Sequence, residues 1–473
     1  MPFLFFRKPK SKSIVFSLPH GFEDEVNAEA IFDEAFFQNQ GEYSPSLAKL
    51  SFAFAISSFS SNKTRLDLSR SADNGKKFLK DAGFRKIRAT EDYFLPPTST
   101  SLGALFGKRK IKLGKKKVTL IAIGIRGGNY GAEWASNVTL GEYGPHEGFS
   151  LSKEKLYQDF IQYLCDNSIR GRIAIWVCGF SRAAGVANLF AGDIIEESSN
   201  GEFRIGKCNI HKDRLFAYCF ASPATGRGKE EGFAGIFHII NPNDIVPMLP
   251  PKSFGFLHYG KTIYLPDTED EEVYEKALSA LSKLGIEIQR KDFGVMKFDI
   301  LRIKDKERRF LLDTKEVLVG QGEFFQRVFA IIEERLDRKS YYEEMQEGLA
   351  SLLCLVDSSL SDPYSHIKGI LSNMFSKLFD EHNVLSLITK LKSRRFDLNS
   401  FLLPYFHSAV KERGINEINE ESVVNAITYL LKILLPSIEK NPGLLATLIY
   451  PDNASLLLFA HQPYLYWALL NLA

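Results

Sequence analysis

The chain has 473 residues, 45% of them hydrophobic, with 60 basic against 57 acidic side chains and a formal net charge of +3. Such a length can bury a large core and suggests two domains or one domain with a big insertion, while balanced charge and the lack of any zinc or RNA-recognition signature argue against a nucleic-acid partner. The five cysteines, Cys165, Cys178, Cys208, Cys219 and Cys354, are odd in number and scattered, so they read as reduced, buried thiols; no cofactor or metal is called for.

The first ten residues, Met1 to Lys10, place their few apolar side chains before the basic ones, which is not the order of a signal peptide. No run of about 18 uncharged apolar residues follows, so no transmembrane helix is expected and a cytoplasmic location is. Residues 13 to 18 look like a short strand. Ser44 before Pro45 is a capped helix start leading into Leu47, Leu50, Phe54 and Ala55, and a second helix follows from Asp73 to Ala82. From Lys108 to Lys117 lysine alternates with aliphatic residues around Gly114. This is most simply a solvated hairpin; its charge is also the ground for peripheral contact with anionic lipid or substrate.

Val118 to Ile125 is a buried-strand candidate ending at Arg126-Gly127-Gly128, and further strands are expected at Ile173 to Cys178, Leu215 to Phe220 and Ile236 to Ile240. Helical or loop segments separate them, the alternation that builds a parallel α/β sheet. Residues 1–268 therefore form an α/β core. Between 269 and 440 the pattern turns mostly helical, with stripes at Phe325, Val328, Phe329, Ile332 and Leu336 and at Ile367, Ile370, Leu371, Met374, Phe375 and Leu378. A hairpin at Met296 to Ile303 and Phe310 to Thr314 interrupts it, and residues 441–473 return to the core.

The most informative stretch runs from Ile173 to Phe190, because it reads as strand, tight turn and helix with Ser181 at the turn. Gly179 and Ala183 flank the serine at minus two and plus two, where larger side chains would collide as strand and helix close on a sharply turned residue. The pattern Gly-x-Ser-x-Ala is a variant of the hydrolase nucleophile elbow; the plainer alternative is a serine N-cap.

A serine nucleophile needs a base to take its proton and an acid to orient that base. The acid candidate is Asp244 in Asn241-Pro242-Asn243-Asp244, directly after the strand at Ile236 to Ile240 and so on the edge where open α/β sheets assemble their sites; its plain role is an Asx turn. Asp193 is nearer in sequence but sits a helix length beyond Ser181. Among nine histidines, His461 stands in a loop just ahead of Pro463 and a helix start, while His238 lies within a strand and His258 follows Asp244 closely. The oxyanion hole would use the backbone N–H of Arg182 with a second N–H from Gly127 or Gly128.

Four places, the Ile125 to Asn137 segment, the elbow through Leu189, Asn241 to Pro250, and Ala460-His461-Gln462-Pro463 with Tyr466, resemble the class 3 lipase-like α/β-hydrolases, specifically bacterial lipase-family proteins with a serine-arginine elbow. They occur in the order nucleophile, acid, histidine. The resemblance implies an α/β-hydrolase (lipase-like) core with a large, mostly helical insertion between acid and histidine, a triad of Ser181, Asp244 and His461, and hydrolysis of lipid or short acyl esters. Two departures stand out: Ala183 replaces the second glycine of the elbow, and Gly128 stands where classical lipases carry a serine or threonine that helps bind the oxyanion, which points away from strong activity on long-chain glycerides. The other class of function open to such a chain is a catalytically silent scaffold whose helical insertion binds a protein partner or membrane.

Overall fold

Along the chain the strands are β1 (Lys12–His20), β2 (Asp24–Phe32), β3 (Arg85–Ala89), β4 (Ala104–Leu113), β5 (Lys116–Ile125), β6 (Gly171–Phe180), β7 (Phe203–Ile205), β8 (Cys208–Ile210), β9 (Leu215–Phe220), β10 (Gly226–Arg227), β11 (Ile236–Ile240), β12 (Phe256–Leu257) and β13 (Lys261–Tyr264). The accompanying helices are α1 (Pro45–Ser57), α2 (Asp73–Asp81), α3 (Glu147–Asp166), α4 (Arg182–Glu197) and α5 (Glu271–Ser282). The structure is a computed structural model that describes residues 11–20, 24–61, 67–128, 133–229, 232–290, 295–304, 311–354, 395–415, 418–440 and 459–473, with short pieces between 367 and 393. The N-terminal residues 1–10, positions 129–132 of the motif after β5, Phe310 and Phe375 lie outside the described residues, as does the side chain of Cys354.

The central sheet runs β13-β11-β9-β6-β5-β4-β3. Its members β5, β6, β9, β11 and β13 are parallel, with β4 and β3 added antiparallel at one edge. Because side chains alternate along a strand, each parallel strand feeds two cores. Ala174, Trp176, Cys178 and Phe180 of β6 face α1, α2, the β1–β2 hairpin and the C-terminal helix Pro463–Leu470, whereas Ile173, Ile175 and Val177 face α3 and α4. Burial on both faces explains why β5, β6, β9 and β11 were legible as near-continuous apolar runs.

The helix starts also follow their local chemistry. Ser44 Oγ accepts the N–H of Leu47 at the head of α1, with Pro45 in its first turn. The lysine-rich segment is more than the expected solvated hairpin: β4 and β5 turn at Gly114 but are pairs of the main sheet, with Ile111 buried and Lys110 Nζ donating to Thr119 Oγ1 at 2.7 Å. Helix α5 lies beyond residue 268 yet packs Ala277 and Leu281 into the core, so this layer runs past that boundary to Ile286. Cys178, Cys208 and Cys219 are buried free thiols, but Cys165 on α3 is exposed, contrary to its expected burial.

Between 295 and 440 the described chain forms an antiparallel hairpin, Val295–Lys304 with Leu311–Gly320, and helices Gln321–Glu333, Arg338–Glu344, Gln346–Cys354, Leu398–Glu412 and Glu420–Lys440. Phe325, Val328, Ile370, Met374 and Leu378 from the two expected stripes join Leu402, Phe406 and Val424 in a core of their own. Ile245, Met248 and Phe459 pack against that cluster. A smaller cluster joins Leu336, Tyr341 and Ile433 to Leu140, Phe254 and Phe256, and the Tyr341 hydroxyl donates to the Val138 carbonyl at 2.8 Å. Among the described residues no helix is long and apolar enough to cross a membrane.

Candidate active site

Strand β6 delivers Ser181 to the end of the sheet in a conformation that ordinary residues avoid, with φ 58° and ψ −128°. Such a backbone costs on the order of 1–3 kcal/mol and persists only when its surroundings enforce it. They do so here. The Ser181 N–H donates to the Phe220 carbonyl of the neighbouring β9 at 2.9 Å, and α4 begins at the next residue. A Cβ on Gly179 would lie 2.5 Å from the Ala183 carbonyl carbon, so the strand and helix can approach only with glycine there. The Ser181 side chain makes no cap hydrogen bond to α4, unlike the simple N-cap that the motif alone also allowed.

The hydroxyl points instead to His461. Ser181 Oγ donates to His461 Nε2 at 2.8 Å, and His461 Nδ1 donates to Asp244 Oδ2 at 2.7 Å, the tautomer that a carboxylate acceptor requires. Asp244 is 1% exposed and His461 7%. Pro463 opens the C-terminal helix, Gln462 is its N-cap, and His461 sits in the turn just ahead. The ring of Phe180 lies against the imidazole, with centroids 5.1 Å apart.

The loop carrying Asp244 is locked by its own polar groups. Asn241 Oδ1 accepts the Asn243 N–H at 3.1 Å, Asn241 Nδ2 donates to the Ala460 carbonyl at 2.9 Å, and Asp244 Oδ1 accepts the Val246 N–H at 2.9 Å. The Asx turn is therefore formed as well, by the oxygen that His461 does not use. A residue with no role assigned in the sequence analysis completes the group: Tyr466 is fully buried, donates its hydroxyl to Asp244 Oδ2 at 2.7 Å and accepts the Asn241 N–H at 3.1 Å. Burial and the Asp244 charge push that hydroxyl's pKa well above its ordinary value, so it stays a donor. Its position one turn past Pro463, on the face that returns toward His461, was the available signal.

The competing residues have other partners. Asp193 forms an ion pair with Lys153 at 2.7 Å, along α4 from the serine. His238 bonds Asn188 Oδ1 and the Tyr259 carbonyl, both at 3.1 Å, and His258 bonds the Ser222 carbonyl at 2.8 Å. Burial lowers both histidines, His258 to about 4, which makes them neutral packing partners whose rings lie 4.4 Å apart.

For the oxyanion donors, Arg182 begins α4, where backbone N–H groups are unpaired and the helix dipole favours negative charge. Gly127 and Gly128 follow β5, which pairs Gly124 with Cys178 of β6; three residues past that pair, beyond the ends of the two strands, come Gly127 and Ser181. A Cβ on Gly127 would sit 2.1 Å from the Phe59 ring, so only glycine brings the backbone this close. Arg126 and Glu133 bracket the segment with a fully buried ion pair at 2.5 Å. Among the described residues no group of three His, Cys, Asp or Glu side chains is arranged to hold a metal ion.

Residues 123–254 match the family described as lipase (class 3), a span that includes Ser181 and Asp244. The core is that of a lipase-like α/β-hydrolase. As such it falls among the carboxylic ester hydrolases. Two similar solved structures are Rhizomucor miehei lipase in a native propeptide complex, 18% identical over 54% of this chain and 77% of that one with a TM-score of 0.34, and a lipase from Rhizopus microsporus var. chinensis, 18% identical over 46% and 72% with a TM-score of 0.32. No curated protein gives a significant match.

Proposed function

We propose that the protein is a serine hydrolase that cleaves lipid or short acyl esters through an acyl-enzyme, with Ser181 as nucleophile, His461 as base and Asp244 as the acid that orients it. The observation that supports this reading is the unbroken relay from Ser181 Oγ through His461 to Asp244, at 2.8 and 2.7 Å, assembled from residues 280 and 217 positions apart in sequence. Ser181 Oγ bonds to the acyl carbon while its proton passes to His461 Nε2. The carbonyl oxygen takes up negative charge facing the N–H of Arg182 and that of Gly127 or Gly128. Collapse of the tetrahedral intermediate breaks the ester C–O bond, and His461 returns the proton to the leaving alcohol. Water, deprotonated by the same histidine, then releases the acid and restores the serine.

The helical insertion covers the mouth of this site and supplies part of the acyl-binding wall. In support, its core takes in Ile245 and Met248, which follow Asp244, and Phe459, which precedes His461. Apolar side chains next to both partners of the serine suit the concave, largely apolar pocket that an acyl group needs.

The test is labelling with a fluorophosphonate probe together with hydrolysis of a graded series of acyl esters. Wild-type protein should label at Ser181 and turn over, and Ser181→Ala should lose both, with turnover falling on the order of a millionfold. Folded wild-type protein that neither labels nor hydrolyses any of the esters would favour the silent scaffold.

A further inference from the structure

Arg182 is the residue after the proposed nucleophile, and its side chain is placed unusually for a charged group. It is 3% exposed, yet among the described residues no carboxylate lies within ion-pair distance of it. Its guanidinium instead donates to four neutral oxygens: Nη1 to the Ser101 carbonyl at 3.2 Å, and Nη2 to the Ser99 carbonyl at 3.1 Å, Ser136 Oγ at 3.3 Å and Ser152 Oγ at 3.0 Å. Burial pulls its pKa down, the charges of Glu133 and Asp92 oppose that, and a guanidinium stays protonated in any case.

An apolar side chain of similar length would fill this space without the cost of desolvating a charge. The arginine must therefore supply something that an apolar chain cannot. What it touches indicates what that is. Three separate segments, residues 99–101, Ser136 beyond β5, and Ser152 on α3, are held to the first residue of α4 by one planar fork. Ser136 Oγ in turn donates to the Glu133 carbonyl at 3.0 Å, and Glu133 binds Arg126, the residue just before Gly127. The stem lies under the oxyanion segment itself, since a Cβ on Gly128 would be 4.0 Å from Arg182 Cδ.

We propose that the Arg182 side chain is the positioning residue of the oxyanion site: it fastens Gly127 and Gly128 to the N-terminus of α4 and keeps a positive charge beneath the oxygen on which negative charge develops. This rests on the assignment of Ser181 as nucleophile. The two donors of an oxyanion hole come from different chain segments, and their separation is useful only if it is held before the substrate arrives. Arg182 belongs to one segment through its backbone and reaches the other indirectly, through Ser136, Glu133 and Arg126 and through the approach of its stem to Gly128.

Three variants test this: Arg182→Met, which removes fork and charge; Arg182→Lys, which keeps the charge alone; and Ser136→Ala with Ser152→Ala, which keeps arginine but removes two acceptors. For each, kcat and KM on one short-chain ester, affinity for an alkyl boronic acid that forms a tetrahedral adduct, and fluorophosphonate labelling of Ser181 are measured. Arg182→Met should lose roughly 100-fold or more in kcat, the scale seen when an oxyanion donor is removed, with KM changed by less than about threefold and boronate affinity falling in step with kcat. Arg182→Lys should recover about a tenth of the wild-type rate, and the double serine variant should lose several-fold in kcat.

A folded Arg182→Met protein with kcat and boronate affinity within threefold of wild type would overturn the proposal, as would losses confined to KM. If Arg182→Met does not fold, the double serine variant decides by the same criteria. Wild-type protein that fails to label would overturn the nucleophile assignment and this proposal with it; labelled wild type with an unaffected variant overturns this proposal alone.

Discussion

The sheet core and the helical insertion bury apolar surface in different ways. In the core every parallel strand is covered on both faces, and each change of face is also a change of partner: Trp176 belongs with α1 and α2, while its neighbour Val177 belongs with α3 and α4. In the insertion the described helices divide between two clusters: Phe325, Leu402 and Val424 meet in one of its own, while Tyr341 and Ile433 pack against Leu140 and Phe254. A strand held on both faces can keep a strained residue at its end, which is what Ser181 requires; a bundle resting on the loops that carry Asp244 and His461 can control what reaches them. On the proposed reading the tasks are separate, with chemistry set by the sheet and access by the bundle.

The sharpest way to break that separation is to remove the two partners of the serine. Asp244→Asn and His461→Ala should each lower kcat by several orders of magnitude, and the double variant should lose little more than the worse single one, because the three residues act as one unit. Steady-state kinetics on a short ester, where the insertion matters least, is the measurement. Additive losses, or an inactive His258→Ala beside an active His461→Ala, would put the chemistry elsewhere.

Stability offers a second comparison. Trp176 is fully buried, donates to Ser51 Oγ at 2.8 Å and contacts the rings of Phe37 and Phe54, so Trp176→Ala should cost about 3–5 kcal/mol and take activity on every substrate with it. Leu402 is equally buried but in the insertion; Leu402→Ala should cost about 2–5 kcal/mol and weaken turnover of longer acyl chains more than of acetate esters. Thermal melts followed by activity on both ester classes would check this. If Leu402→Ala depresses acetate and long-chain hydrolysis alike, the insertion supports the catalytic residues as well as covering them.

Acid should act on the core through its buried histidines. His258 and His146 are lowered by burial, to about 4 and about 3, and both are neutral in the folded protein at pH 7. As pH falls through about 6.5 the unfolded chain takes up these protons while the folded chain cannot, so stability is fully present above that pH and declines down to the folded values, by up to about 3 kcal/mol from His258. Melting temperatures between pH 7 and 4.5 should show the decline, and His258→Gln should make it shallower. An unchanged slope in that variant would remove His258 from the account.

How much of this was legible in the sequence follows from the same physics. β6, β9 and β11 announce themselves because burial on two faces demands continuous apolar runs, and Ser181 because a tight elbow demands small neighbours. Asp244 and His461 could be proposed from their places beside a strand end and a helix start. β2 was missed, since its buried face is made largely of small residues, Ala28 and Ala30, amid acidic ones, and the one-sided pattern is weak. Tyr466 and the Arg182 fork had no role before the structure, because hydrogen bonds spanning 222 or 81 positions leave no local pattern.

The smallest effect concerns Tyr466, and it separates positioning from chemistry within the core. Its hydroxyl shares Asp244 Oδ2 with His461, so Tyr466→Phe removes one of the two donors to that oxygen and the acceptor of the Asn241 N–H without opening a cavity. The loss should be about tenfold in kcat, the order of one charge-assisted hydrogen bond, with KM unchanged. Steady-state kinetics of the variant checks this: a lower kcat at unchanged KM supports a positioning role through Asp244, whereas kcat and KM that coincide with wild type would make Tyr466 a packing residue whose hydroxyl only satisfies the Asn241 loop.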